Sequence, residues 1–231
     1  MKESRRKFLH ASCVVGPAAL ASAGCGAAAD AGAEEISGPS PSEYLMRQHG
    51  IVHRMALVFE SVARRVRNGQ HIPEAFLDTR ELVQGFTEDY HEELEESYIF
   101  PRFGGGGPLQ EMVSVLRMQH SMGHTIAQRA YRIAERGPDL DQSGRESLSA
   151  ACRAYSRMYR AHAAFEDTDM WPALRENVSA SKYEDITQSF RERAQEKLGD
   201  AGFSGVAERM AEVEEALGIS GLSDFTPVEL P

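Results

Sequence analysis

Cysteine is scarce in this chain of 231 residues, with only Cys13, Cys25 and Cys152. The first two fall in an N-terminal stretch that reads as a leader. Cys152 alone is certain to remain in the mature domain, which excludes a disulfide framework. Positive charge is also short: Lys and Arg number 25 against 35 Asp and Glu, a formal net charge of −10. An acidic chain lacks the electrostatic footprint of a nucleic-acid binder. Beyond the extreme N-terminus no apolar run is long enough to span a bilayer. No stretch alternates apolar and polar residues convincingly, so no sheet is expected. The run Gly104-Gly105-Gly106-Gly107 has no following Gly-Lys-Ser/Thr and is a loop, not a phosphate cradle.

What is present is helical periodicity. Ser40-Pro41-Ser42-Glu43 reads as a capping box with proline at the first helical position. The helix it opens carries Leu45, His49, Val52, Ala56, Phe59 and Ala63 at spacings of three and four. Pro73 can open a second helix that lasts to Phe100, where Pro101 is expected to stop it. Pro108 opens a third, ending near Gly137-Pro138. A fourth starts around Asp141 to Ser143 and runs to Trp171-Pro172. Short connections predict an all-α, up-down-up-down four-helix bundle over residues 40–175. Residues 176–231 keep a charged helical pattern and are expected to form helices packed outside it, then an irregular tail.

Each predicted helix places histidine on its inward stripe: His49, His91, His120 and His162. Three of these have a second donor four residues on, namely Glu95, His124 and Glu166. Positions four apart share a helix face, so each such pair addresses one point. One offset of 71 positions relates His49 to His120, His91 to His162, Glu95 to Glu166, His53 to His124 and Pro101 to Pro172. The bundle is therefore expected to be two αα-hairpins related by an approximate two-fold axis. A buried unpaired glutamate costs several kcal/mol or more, and a shared cation removes that cost. Singly, each histidine would read as an ordinary core or surface residue; in register on four helices they predict a metal centre in the core. Iron, manganese and zinc all accept imidazole with carboxylate, and two irons want bridging carboxylates.

The N-terminus reads as an export signal. Ser4-Arg5-Arg6-Lys7-Phe8-Leu9 is a paired-arginine region of the twin-arginine type, followed by a short small-residue stretch. Ser22-Ala23-Gly24-Cys25 resembles a lipoprotein box, with Ala21-Ser22-Ala23 as the alternative cleavage site. The expectation is a signal peptide over 1–24, a flexible tether over 25–39, and a periplasmic protein, anchored to the membrane if Cys25 is lipidated.

The segments Gln48-His49, Asp89 through Glu96, Gln119-His120 and His162 through Asp167, with Phe100-Pro101 and Trp171-Pro172, resemble a hemerythrin-like, or HHE cation-binding, domain. The resemblance covers residues 40–175. It implies two iron ions (Fe2+/Fe3+), oxo- or hydroxo-bridged, held by His49, His91, Glu95, His120, His162 and a second bridging carboxylate. Glu166 is preferred as that bridge because it repeats Glu95, with Asp167 second. Oxygen carriers of the family have a further histidine at the place of His124, which is included as a ligand. The family does not normally use the place of His53, read here as lying beside the site or at the surface. Glu92, Glu93 and Glu96 read as an acidic helix face. The function implied is O2 binding for storage, delivery or sensing. One alternative is a di-iron enzyme reducing peroxide, O2 or nitric oxide; another is metal binding without redox turnover. The expected partner is O2, another small diatomic or a peroxide.

Overall fold

The computed structural model describes residues 39–137 and 140–227. The twin-arginine segment, Cys25 and almost all of the tether lie outside the described residues. Helix α1 spans Pro41–Arg67, and Ser40 caps it with the reciprocal box: Ser40 Oγ accepts from the Glu43 amide while the Glu43 carboxylate accepts from the Ser40 amide at 2.9 Å. Helix α2 spans Ala75–Leu82. It runs on through two wide, π-helical segments, Val83–Glu92 and Glu95–Ile99, into a tight 3-10 turn at Phe100–Phe103. Gly107, at φ 85, lets the chain reverse into α3, Pro108–Ala134. Asp141 caps α4, Gln142–Phe165, by accepting from the Gly144 amide at 2.7 Å. A third π-helical segment, Glu166–Met170, joins α4 to α5, Trp171–Asn177. Two further helices follow, α6 (Ala180–Leu198) and α7 (Gly202–Ala216). There is no strand among the described residues.

Both prolines expected to end helices do less than that. Pro101 sits inside the 3-10 turn and Pro172 in the first turn of α5. Each follows a five-residue widening whose closing amide, from Phe100 or Trp171, returns to the carbonyl five residues back, on Glu95 or Glu166. Widening the turn shifts the hydrogen-bond register, and the next residue falls where a first-turn amide has no intrahelical partner. Proline lacks that amide and is tolerated there.

The four long rods form an antiparallel bundle. His49 faces Asp167 and Ala63 faces Ser149, so α1 and α4 run in opposite directions. Glu96 faces His120 and Thr79 faces Tyr131, giving the same relation between the α2 rod and α3. One half of the interior is aromatic: Phe59 stacks on Tyr155 at 3.9 Å and meets Phe76 edge-on at 5.1 Å. Cys152 lies buried there, its thiol pushed up by burial into an inert form. The other half holds the histidines. Helices α6 and α7 cover α1 and the α2 rod from outside. Buried Phe190 packs against Tyr44 and Tyr98, and Arg54 clasps Glu214 through two hydrogen bonds of 2.9 and 2.6 Å. Among the described residues no helix is long and apolar enough to cross a membrane.

Candidate metal centre

Local backbone geometry aims the donors. Glu95 and Glu166 each begin one of the five-residue π-helical segments. Such widenings are rare and concentrate at functional sites. Each is followed by an aromatic ring stacked on a histidine of another rod: Phe100 on His120 at 5.6 Å and Trp171 on His49 at 5.9 Å. The 71-residue repeat is thus present in the backbone irregularities as well as in the side chains.

His49, His91, His120, His162, Glu95 and Glu166 are all buried. Their free atoms converge. Glu95 Oε1 lies 3.6 Å from His49 Nε2 and 3.4 Å from His91 Nε2. Its other oxygen lies 3.4 Å from His120 Nε2 and 3.9 Å from His162 Nε2. Glu166 Oε2 sits between His49 Nε2 and His162 Nε2, at 3.3 and 3.2 Å. Two trios can each hold a cation, His49–His91–Glu95 and Glu95–His120–His162, and Glu95 is common to both.

The remaining imidazole nitrogens are all engaged. His91 Nδ1 bonds Gln48 Oε1 and His162 Nδ1 bonds Gln119 Oε1, both at 3.0 Å. His49 Nδ1 bonds Asp167 and His120 Nδ1 bonds Glu96, both at 2.8 Å. An acceptor at Nδ1 places the proton there and turns the Nε2 lone pair inward, the arrangement that supports a metal-binding histidine.

The inward atoms fit a cation. All four oxygens of Glu95 and Glu166, and His49 Nε2, are buried without a hydrogen-bond partner. Orphaned buried acceptors of this kind are costly. Donors about 2.0–2.2 Å from one ion, at near-tetrahedral or octahedral angles, stand roughly 3.0–3.6 Å apart. Most of the separations here fall in that interval. His120 Nε2 and His162 Nε2, 3.3 Å apart, are in the same relation.

Charge balance points the same way. Burial pushes the Glu95 carboxyl up, but His91, His120, His162 and His49 outweigh it and hold it well below the usual range. Burial pushes His120 and His162 down, yet carboxylates raise them: Glu95 and Glu96 bring His120 to about 10, and Glu166 and Glu95 bring His162 to about 9. Burial dominates at His91, which falls to about 4. Protons on imidazole therefore neutralise the acids in the place a cation would, and metal binding must displace them.

Other expected donors are placed elsewhere. His124 is not brought to this cluster: its Nε2 pairs with Glu92 Oε2 at 2.6 Å, and its side chain is 37% exposed. Asp167 stands outside the chamber, accepting from His49 Nδ1 and from Trp171 Nε1 at 3.0 Å. His53 is half-buried beside His49 and Asp167 and joins neither trio. The acidic face expected of Glu92 and Glu96 is corrected as well. Glu96 orients His120 and binds Arg117. Glu92 is buried and accepts from Tyr159 Oη at 2.8 Å. The offset of 71 pairs Gln48 with Gln119 and Glu96 with Asp167, so extending the repeat beyond the histidines would have found all four. Glu92 and Tyr159 carry no such signal.

His124→Ala is expected to leave the metal content of purified protein unchanged. Gln119→Ala, which releases His162 Nδ1, is expected to weaken metal binding about 10- to 100-fold in a competitive chelator titration.

Comparison with known proteins gives a family. The description that matches residues 40–174 is Hemerythrin HHE cation binding domain. Uncharacterized proteins of Mycobacterium bovis and of two strains of Mycobacterium tuberculosis are 36% identical over 195 residues, covering 84% of this chain and 76% of each relative. No solved structure matches the chain.

Proposed function

Because the chain belongs to the hemerythrin HHE cation-binding family, we propose that it holds two irons and reacts with a small oxygen species. The observation that carries this reading is Glu95, whose two oxygens face different pairs of imidazoles. One carboxylate so placed would bridge two ions held by those pairs. His49 and His91 would serve one metal and His120 and His162 the other, with Glu166 as the second bridge. Two irons there supply one-electron redox chemistry and coordination positions for a small ligand.

Reversible O2 carriage is favoured when every other coordination position is filled and the pocket is apolar. Here His124 is engaged by Glu92, and a buried carboxylate and a tyrosine hydroxyl stand beside the centre. Those features favour turnover of O2 or peroxide over storage. The twin-arginine sequence at Arg5-Arg6 suits this reading, since that route exports proteins already folded around their metal. Rapid mixing of the anaerobic, iron-loaded, reduced protein with O2 tests it. Conversion to the oxidised form without a long-lived optical band reversed by degassing is the expected result. A stable, degassing-sensitive band would restore the carrier reading, and native protein carrying zinc alone would remove the redox one.

A further inference from the structure

The 71-residue repeat holds around the chamber and fails one layer deeper in the bundle. His49 with His120, His91 with His162, Glu95 with Glu166, Gln48 with Gln119, Glu96 with Asp167 and Phe100 with Trp171 occupy corresponding places. In the next layer Val52 corresponds to Gly123, Glu88 to Tyr159 and Ala163 to Glu92. Val52 and Ala163 are fully buried and apolar. On the other side Glu92, the counterpart of Ala163, and Tyr159 make a polar pair, and Gly123, the counterpart of Val52, leaves room for it. The two sides of the centre are therefore chemically different, although the ligands are symmetric.

Tyr159 dominates the polar side. It leaves α4, crosses the interior and reaches the α2 rod, with its ring 5.8 Å from that of His162. A Cβ at position 123 would lie 2.2 Å from the Tyr159 hydroxyl oxygen, so glycine is what leaves the ring its seat. The hydroxyl proton is committed to Glu92 Oε1 at 2.8 Å, and the other Glu92 oxygen is held by His124 at 2.6 Å. A hydroxyl has one proton and two acceptor lone pairs. With its proton engaged, this oxygen meets a neighbour as an acceptor only.

Resting on the two-metal reading, we infer that Tyr159 is a specificity-determining residue selecting ligands that carry hydrogen, the hydroperoxide class, over hydrogen-free ligands. Glu92 fixes the polarity of the hydroxyl, Gly123 fixes its position, and His124 closes the chain at the surface.

Tyr159→Phe tests the inference, with hydrogen peroxide and azide as probes. The half-saturating concentration of hydrogen peroxide should rise roughly five- to tenfold, the loss of one hydrogen bond. Azide affinity of the oxidised iron-loaded protein, by optical titration, should stay within about twofold, with iron content and melting temperature as in the parent. Gly123→Ala, which displaces the ring, should reproduce the peroxide effect. Equal changes for both probes, or none for peroxide, overturn the inference. A parent protein that takes up iron but neither binds azide nor consumes peroxide overturns the two-metal reading itself, a separate result.

Discussion

Glu95→Ala is expected to empty both metal positions at once. Its oxygens serve two trios, and its removal leaves His49, His91, His120 and His162 with Glu166 alone as counter-charge. Two divalent cations then face one buried carboxylate, and uncompensated buried charge costs several kcal/mol. His91→Ala touches only the first trio, and one metal per chain should remain. Elemental analysis of both variants, purified with the parent, checks this. Equal loss from both variants would mean that Glu95 does not bridge.

The second large effect is a dependence of stability on pH that metal abolishes. His120 and His162 are raised from 6.5 to about 10 and about 9. A raised histidine contributes stability that is complete below its unfolded value and is lost as pH rises through its folded value. The metal-free protein should therefore weaken between about pH 6.5 and 10. Even an elevation of one pH unit carries about 1.4 kcal/mol, roughly 3–6 °C of melting midpoint for a chain of this size. His91, lowered to about 4, acts at the other end and favours unfolding as pH falls below 6.5. In the loaded protein the cations replace those protons, and metal affinity itself rises with pH. Melting of chelator-treated and loaded protein at pH 6.5, 8 and 9.5 should show the first falling and the second nearly level. Parallel curves would mean that imidazole protons do not neutralise Glu95 and Glu166.

Much of this was legible in the chain. The three-four spacing of Leu45, His49, Val52 and Ala56 is a helix with histidine on its buried stripe, and all four are buried in the structure. The capping box at Ser40 follows from local hydrogen-bond chemistry and forms as expected, and the fourth helix starts where expected, with Asp141 as its cap. Less legible were the π-helical segments. Propensity and periodicity describe a regular helix, and a widened turn leaves no clear trace in either. Pro101 and Pro172, read as stops, mark these segments.

By itself, the sequence determined the donor types, their level along each rod and their two-fold repetition, because separations of four and of 71 positions are properties of the chain. Tertiary structure decided which neighbouring donors face inward. Glu166 and Asp167 are adjacent and therefore about 100° apart around the helix. Only the rotation of α4, set by packing and by the widened turn at Glu166, turns Glu166 into the chamber and leaves Asp167 outside on His49. The same holds for His124, which shares a helix face with His120 but meets a carboxylate from another rod, Glu92. Contacts across rods depend on how helices rotate against one another, and no spacing within one helix contains that angle.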